Sequence, residues 1–236
     1  MGQTKKESDG VAAMFGRIAH RYDLLNHLLS FGLDFHWWRR LAAETGARSG
    51  MVALDVAAGT GDSTLALARR GATVVTSDFT MRMLARGPAK FKRAGLSALV
   101  PGSVCADAEN LPFRDASFDA VAIAYGIRNV ERRADAYKEF LRVLNPGGRL
   151  VVLEFSRPAR TWLRALYAAY SRLLLPFVGG LLSGDGGAYD YLPETIRGFP
   201  PQKELARELE AAGFQCVAWK NLSGGIVALH TGTKPK

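Results

Sequence analysis

The chain has 236 residues, 48 % of them hydrophobic and 22 % charged, which suits one sizeable domain and excludes both wholesale disorder and a multi-span membrane protein. A formal net charge of +9 fits nucleic acid, an anionic membrane surface or plain solubility, and does not choose among them. The two cysteines, Cys105 and Cys216, make neither a disulfide framework nor a metal-ligand spacing; a reducing cytoplasm is expected, with both as core thiols.

MGQTKKESDG is polar, has no apolar segment behind its lysines and carries Lys6 where a myristoylation signal needs Ser or Thr, so residues 1–10 are expected to be a flexible tail. Residues 11–236 read as a single domain. Its first part, 11–48, is a helical prefix, because Phe15, Ile18, Tyr22, Leu25 and Leu29 recur three or four apart. After Gly50 the rhythm changes to MVALDV, a Gly-rich turn, TLALARR and ATVVTSD, which is strand, turn, helix, strand. The alternation continues with a helix from about Met81 to Ala94, a strand near Leu99 to Cys105, an apolar run Phe118 to Tyr125 and a helix from about Arg132 to Val143. NPGG then breaks into the strand RLVVLEF.

Alternating strands and helices predict an α/β, Rossmann-like, mostly parallel sheet covered on both faces. In FQCVAWKNLSGGIVALHTGT two strand-like runs are separated by only SGG, the mark of an antiparallel hairpin, which brings the expected sheet to seven strands. Between these parts lies 160–200, an insertion expected to act as a lid over the substrate. Its uncharged run Leu173 to Gly184 is too short for the roughly 20 residues a spanning helix needs and contains Pro176. An amphipathic cover hinged at Gly184, Gly186 and Gly187 and a core helix with a loop are both compatible with it.

LDVAAGTGD carries the most chemistry. Glycines such as Gly59 let backbone amides approach a ligand at the end of a parallel strand. A dinucleotide fingerprint would place a third glycine where this chain has Leu65. Asp55 at the strand end would repel a pyrophosphate and suits a ligand with a positive charge and an amino group, as in S-adenosylmethionine. Asp78 ends the next strand, where it can accept from ribose hydroxyls, and Asp107 follows the third, where it can accept from an adenine amino group while Ala108 leaves room for the ring. Each acid taken singly also reads as a strand-end turn or helix cap.

DVAAGTGD, Asp78 and DAENLPF resemble a class I S-adenosylmethionine-dependent methyltransferase. FGRIAHRYDLLNHLLSFG with WWRR, YGIRNV, VLNPGGRLVVLEFSRP and NLSGGIVALHTG are similar to the ubiquinone/menaquinone biosynthesis C-methyltransferases, over about Val11 to Lys234. The resemblance implies cofactor contacts at Thr60, Asp78, Asp107 and Ala108, and at position 124, where many relatives have serine and this chain has Ala124. Asp34, where several relatives have histidine, and Pro193 in YDYLPETI also depart from the pattern.

The implied reaction is C-methylation of a polyprenylated quinol ring, naphthoquinol or benzoquinol. Arg128 would stabilise a developing phenolate, and Asn129 would orient the ring or hold a water, unless it caps the following helix. His20, His27, His36 and Asp62 are candidates for the proton acceptor. A cytoplasmic protein with peripheral membrane contact at the inner face, or a homodimer, is compatible with this reading, and no nucleic-acid partner is expected. The alternatives are a nucleic-acid methyltransferase, which would want an Asp or Asn, Pro, Pro, aromatic motif where this chain has YGIRNV, and a cofactor-binding scaffold of a quinone-synthesis complex.

Overall fold

The computed structural model describes residues 22–158, 160–164, 167, 195, 196 and 198–236. The expected tail, residues 11–21 of the helical prefix and most of the 160–200 insertion, with its hinge glycines, lie outside the described residues.

A parallel strand covered on both faces must be apolar almost throughout, and β1 (Val52–Val56) and β4 (Phe118–Ala124) read that way, while β2 (Thr73–Asp78) is more polar, with Val74 and Val75 its apolar residues. With β3 (Gly102–Cys105), β5 (Leu144–Phe155), β6 (Gln215–Leu222) and β7 (Val227–Thr233) they form a seven-stranded sheet in the order β3-β2-β1-β4-β5-β7-β6. Every pairing from β3 to β5 is parallel, and β7 runs antiparallel to both β5 and β6. The expected mostly parallel sheet with a terminal hairpin is therefore the observed one.

Two apolar layers close over the sheet. On one face Trp37 and Leu41 of α2 (Leu33–Glu44) and Leu67 of α3 (Asp62–Ala68) cluster with Ala53, Ala122 and Val151. On the other, Tyr137 and Phe140 of α6 (Arg133–Val143) and Leu205 and Leu209 of α7 (Gln202–Ala211) cluster with Val121, Ile123 and Leu150. Alternate strand residues thus serve opposite layers.

Four details differ from expectation. Among the described residues the helical prefix is two helices, α1 (Tyr22–Leu29) and α2, because Phe31 and Gly32 between them both adopt left-handed backbone conformations, which end a helix. The segment Met81 to Ala94 is also split, into α4 (Met81–Leu84) and α5 (Gly87–Arg93), with Pro88 in the first turn of α5, where its missing N–H is no loss. NPGG lies inside β5: Leu144 pairs with Phe118, and pairing resumes at Arg149 opposite Ala120 after a register shift. Finally, Cys105 and Cys216 are exposed rather than core thiols, since each lies on a strand, β3 or β6, at an edge of the sheet.

The strand order reverses between β1 and β4, and at such a point the connections leave in opposite directions and open a crevice. Both chains turn there through left-handed residues, Ala57 after β1 and Tyr125 after β4. Gly126 passes so close to Ala57 that a Cβ on it would run into the Ala57 Cβ. Gly126→Ala is expected to lower unfolding stability by about 1–3 kcal/mol through overpacking, read as a lower urea midpoint with an unchanged slope.

Candidate functional site

The site begins with the loop after β1. Ala58 N–H donates to the Ser77 carbonyl at 3.0 Å and Gly59 N–H to Asp78 Oδ2 at 2.8 Å, so the glycine loop is stitched to the end of β2. Asp78 Oδ1 accepts a second amide, from Thr80, at 2.7 Å. Burial raises the Asp78 pKa and the two amides oppose that rise, leaving a half-buried carboxylate with lone pairs still available. Gly61, at φ 92°, lies under Phe91, whose ring would be 2.6 Å from an added Cβ, so only glycine fits the last residue before α3.

Asp55, 0 % exposed, lies beneath this loop. Ser63 and Thr64 of α3 both donate their hydroxyls to its Oδ2 at 2.6 Å, while Oδ1 has no hydrogen-bond partner among the described residues. Burial pushes the Asp55 carboxyl up to about 7, with the two hydroxyls opposing and the Asp78 and Asp62 charges adding to the rise. Asp107 follows β3 one strand further out: it is exposed, its Oδ1 accepts the Glu109 N–H at 2.9 Å, and the neighbouring Ala106 N–H donates to the Asp78 carbonyl at 3.1 Å. Ala108 packs on the apolar layer below. Three carboxylates thus end three adjacent strands around a glycine loop. An orphaned buried carboxylate oxygen on β1, with Asp78 and Asp107 at the ends of the two strands beyond it, is an acceptor set for a cation bearing an amino group and hydroxyls, so these residues fit S-adenosylmethionine.

Thr60 is 2 % exposed and belongs to a network that sequence reasoning missed. Its hydroxyl donates to Asp23 of α1 at 2.5 Å and accepts from Lys90 of α5 at 3.1 Å. Lys90 also bridges Asp23 at 2.6 Å and Asp62 at 2.8 Å. Asp62 is thereby the first residue of α3, held by Lys90, with Gly61 in the cap position. The helical prefix does reach the loop, through Asp23. The only sequence signal was that Asp23 lies within the apolar helical stretch from Phe15 to Leu29.

On the β4 side of the crevice, Ile127–Asn129 form one 3₁₀ turn, closed by the Asn129 N–H donating to the Gly126 carbonyl at 3.0 Å. Asn129 does not cap the following helix, whose cap position is Arg132. The Arg128 side chain is 5 % exposed and pairs through Nη1 with Glu154 of β5, itself 1 % exposed, at 2.6 Å. The same nitrogen donates to the Tyr125 carbonyl at 2.6 Å, and the guanidinium lies 5.4 Å from the centre of the Phe155 ring. Burial raises the Glu154 pKa, and Arg128 is the largest influence opposing it. Arg128 therefore has a buried carboxylate partner.

Among the candidate proton acceptors, His27 bonds through Nδ1 to the buried Asp34 and stacks on Phe35, His36 is exposed, and His20 lies outside the described residues. Ala124, where the resemblance implied a cofactor contact, ends β4 directly before Tyr125.

The model of the ubiE/COQ5 methyltransferase family matches residues 2–234. A demethylmenaquinone methyltransferase from Streptomyces avermitilis is 46 % identical over 229 residues, covering 97 % of this chain and 96 % of that protein. A ubiquinone/menaquinone biosynthesis C-methyltransferase UbiE from Stutzerimonas stutzeri is 46 % identical over 233 residues, covering 98 % and 91 %. Among solved structures, that of the cyclase SpnF superposes with a TM-score of 0.72 at 21 % identity over 97 % of both chains, a likeness of fold.

Asp55 gives the site a pH signature. A carboxyl that folding raises from its ordinary range to about 7 binds its proton more tightly in the folded state. Its contribution to stability is present below the unfolded pKa and is lost as pH rises through 7. Asp55→Asn removes the ionisation, so the variant is expected to be more stable than the unsubstituted protein at pH 8, by on the order of 2 kcal/mol, with the gap narrowing toward pH 5. Urea unfolding across that range measures the gap; a gap independent of pH would contradict the assignment.

Proposed function

The chain belongs to the ubiE/COQ5 methyltransferase family, and from that membership we propose that its strand-end crevice methylates a ring carbon of a prenylated quinol, with Arg128 and Asn129 on the acceptor side and Gly59, Thr60, Asp78, Asp107 and Ala108 on the cofactor side. The chain is an S-adenosylmethionine-dependent C-methyltransferase of menaquinone or ubiquinone biosynthesis, as its relatives over nearly the full length are. Neither a nucleic-acid methyltransferase nor an inactive scaffold is favoured by that membership.

The observation that carries the reading of the site is the run of carboxylates Asp55, Asp78 and Asp107 across β1, β2 and β3, which favours a cationic ligand and disfavours a pyrophosphate. When bound, S-adenosylmethionine supplies an electrophilic methyl group on a positively charged sulfur. Asp78 accepts from its ribose hydroxyls and Asp107 from its adenine amino group, while the loop from Gly59 to Gly61 gives the close backbone approach.

A quinol ring carbon becomes nucleophilic when the neighbouring hydroxyl ionises. A phenol with a pKa near 10 is about three units from ionised at pH 7, a gap of roughly 4 kcal/mol. Arg128 stays protonated and so cannot take the proton; it acts by holding positive charge beside the forming phenolate. Glu154 neutralises part of that charge and fixes the guanidinium in one place, so the aid is preorganised rather than large. The overall balance at the ring carbon is one methyl gained and one proton lost.

We further propose that the chain meets its prenylated acceptor at a bilayer surface. Leu24, Leu28, Phe31, Leu33 and Phe35 on and between α1 and α2 are exposed, the net charge is +9, and no helix among the described residues is long and apolar enough to cross a membrane.

Arg128→Ala would strand the Glu154 charge and confound chemistry with folding. Arg128→Lys keeps a cation there but loses the planar fork. It is expected to leave cofactor affinity within about twofold by calorimetry and to lower methyl transfer about a hundredfold with labelled S-adenosylmethionine, the scale of one transition-state donor. Parallel losses of binding and turnover would remove Arg128 from the acceptor side.

A further inference from the structure

Two buried hydrogen-bonding groups beside the Arg128–Glu154 pair have no partner among the described residues: the Tyr125 hydroxyl and the Trp38 indole N–H. They belong to rings in edge-to-face contact, 5.3 Å between centres. Phe155 lies 4.6 Å from the Tyr125 ring on β5, and Trp37 completes the group at 6.3 Å. The contrast between the two tryptophans is informative, because Trp37 donates its indole N–H to Ser223 at 2.9 Å while its neighbour Trp38 has no acceptor among the described residues. A buried hydroxyl or N–H without a partner destabilises the fold, so an orphaned pair in one aromatic cluster points to a ligand that completes it.

The location and chemistry narrow that ligand. Tyr125 stands at the turn out of β4, in a left-handed conformation unusual for a bulky residue, at the crevice where the strand order reverses. Its backbone carbonyl accepts from Arg128 at 2.6 Å, which ties the cluster to the acceptor side of the site. Trp38 can only donate, and the hydroxyl of Tyr125 can donate or accept. Burial, with Glu154 and Asp34 nearby, pushes the Tyr125 hydroxyl well above its ordinary range against the smaller opposing pull of Arg128, so it keeps its proton. The surrounding rings favour a flat aromatic partner, and the two orphans favour oxygens on it.

We propose that Tyr125 and Trp38 form the oxygen-recognising wall of the acceptor pocket: the Tyr125 hydroxyl hydrogen-bonds one ring oxygen of the quinol, and the Trp38 indole N–H donates to an oxygen of the same acceptor. The assignment rests on the quinol reading given above and adds the residues that distinguish an oxygenated ring from a plain one. Both are positioning residues for the ring, and neither exchanges a proton with the reacting carbon.

The test uses the full chain and two probes, 1,4-dihydroxynaphthalene kept reduced under anaerobic conditions and naphthalene, with binding followed by tryptophan fluorescence. The unsubstituted protein is expected to prefer the diol about tenfold or more, and Tyr125→Phe to bring the preference to within about twofold. Without ligand, Tyr125→Phe is expected to melt at the same temperature or about 2–4 °C higher, since an unsatisfied hydroxyl has been removed. Trp38→Phe is expected to reduce the diol preference in the same direction. A lower melting temperature for Tyr125→Phe would mean that the hydroxyl is satisfied within the protein, and would overturn the proposal. So would an unchanged diol preference in both variants. Methyl transfer by the unsubstituted protein to a short-chain prenylated naphthoquinol separates the two ideas: transfer with an unaffected preference overturns the wall alone, whereas no transfer overturns the quinol reading beneath it.

Discussion

The contact between Gly126 and Ala57 sets where everything else in the site can lie. Two neighbouring parallel strands must part at this point, and the absence of a side chain on Gly126 lets their turns pass each other. On one side of that contact the chain continues into the glycine loop, Thr60 and α3; on the other it continues into the 3₁₀ turn with Arg128 and Asn129. The groups proposed for the cofactor side and those proposed for the acceptor side are thus held a few residues from one shared pivot. A rigid pivot is what methyl transfer needs, since the advantage of aligning two reactants is lost when the geometry loosens.

Around the pivot the structure accepts local instability. Among the described residues Asp55 keeps a buried oxygen without a partner, Ala57 and Tyr125 turn through left-handed conformations, and two polar groups of the aromatic cluster find no hydrogen-bond partner. Apolar layers on both faces of the sheet offset these terms. Local instability of this kind at a site is the pattern expected where a fold gives up stability for recognition.

Much of this was legible in the chain. Apolar runs of five to seven residues bounded by Gly, Asp and Asn gave the parallel strands, and SGG between two such runs gave the hairpin, because a strand buried on both faces leaves no room for polar alternation. Asp78 and Asp107 could be placed because the first ends a strand and the second follows the end of the next within two residues. The Arg128–Glu154 pair and the Thr60–Asp23–Lys90 network could not, since their members are 26 to 67 residues apart and only the fold brings them together. The two breaks within expected helices depended on backbone conformations at Phe31 and Gly32 and on the start of α5, which apolar spacing does not report. The cysteines were misjudged because side-chain type suggests burial while strand order decides it.

The position of Cys216 has a wider consequence. It lies on β6, the last strand of the sheet, in a left-handed conformation, and the pairing of β6 with β7 shifts register between Gln215 and Ala218. Further along the same strand Lys220 reaches across to Glu44 at 2.7 Å. A kinked border strand carrying a lysine is a poor template for another chain's backbone, so the sheet ends where it does. Association of copies by continuing the sheet through β6 is thereby discouraged, and the chain is protected from edge-to-edge aggregation when crowded.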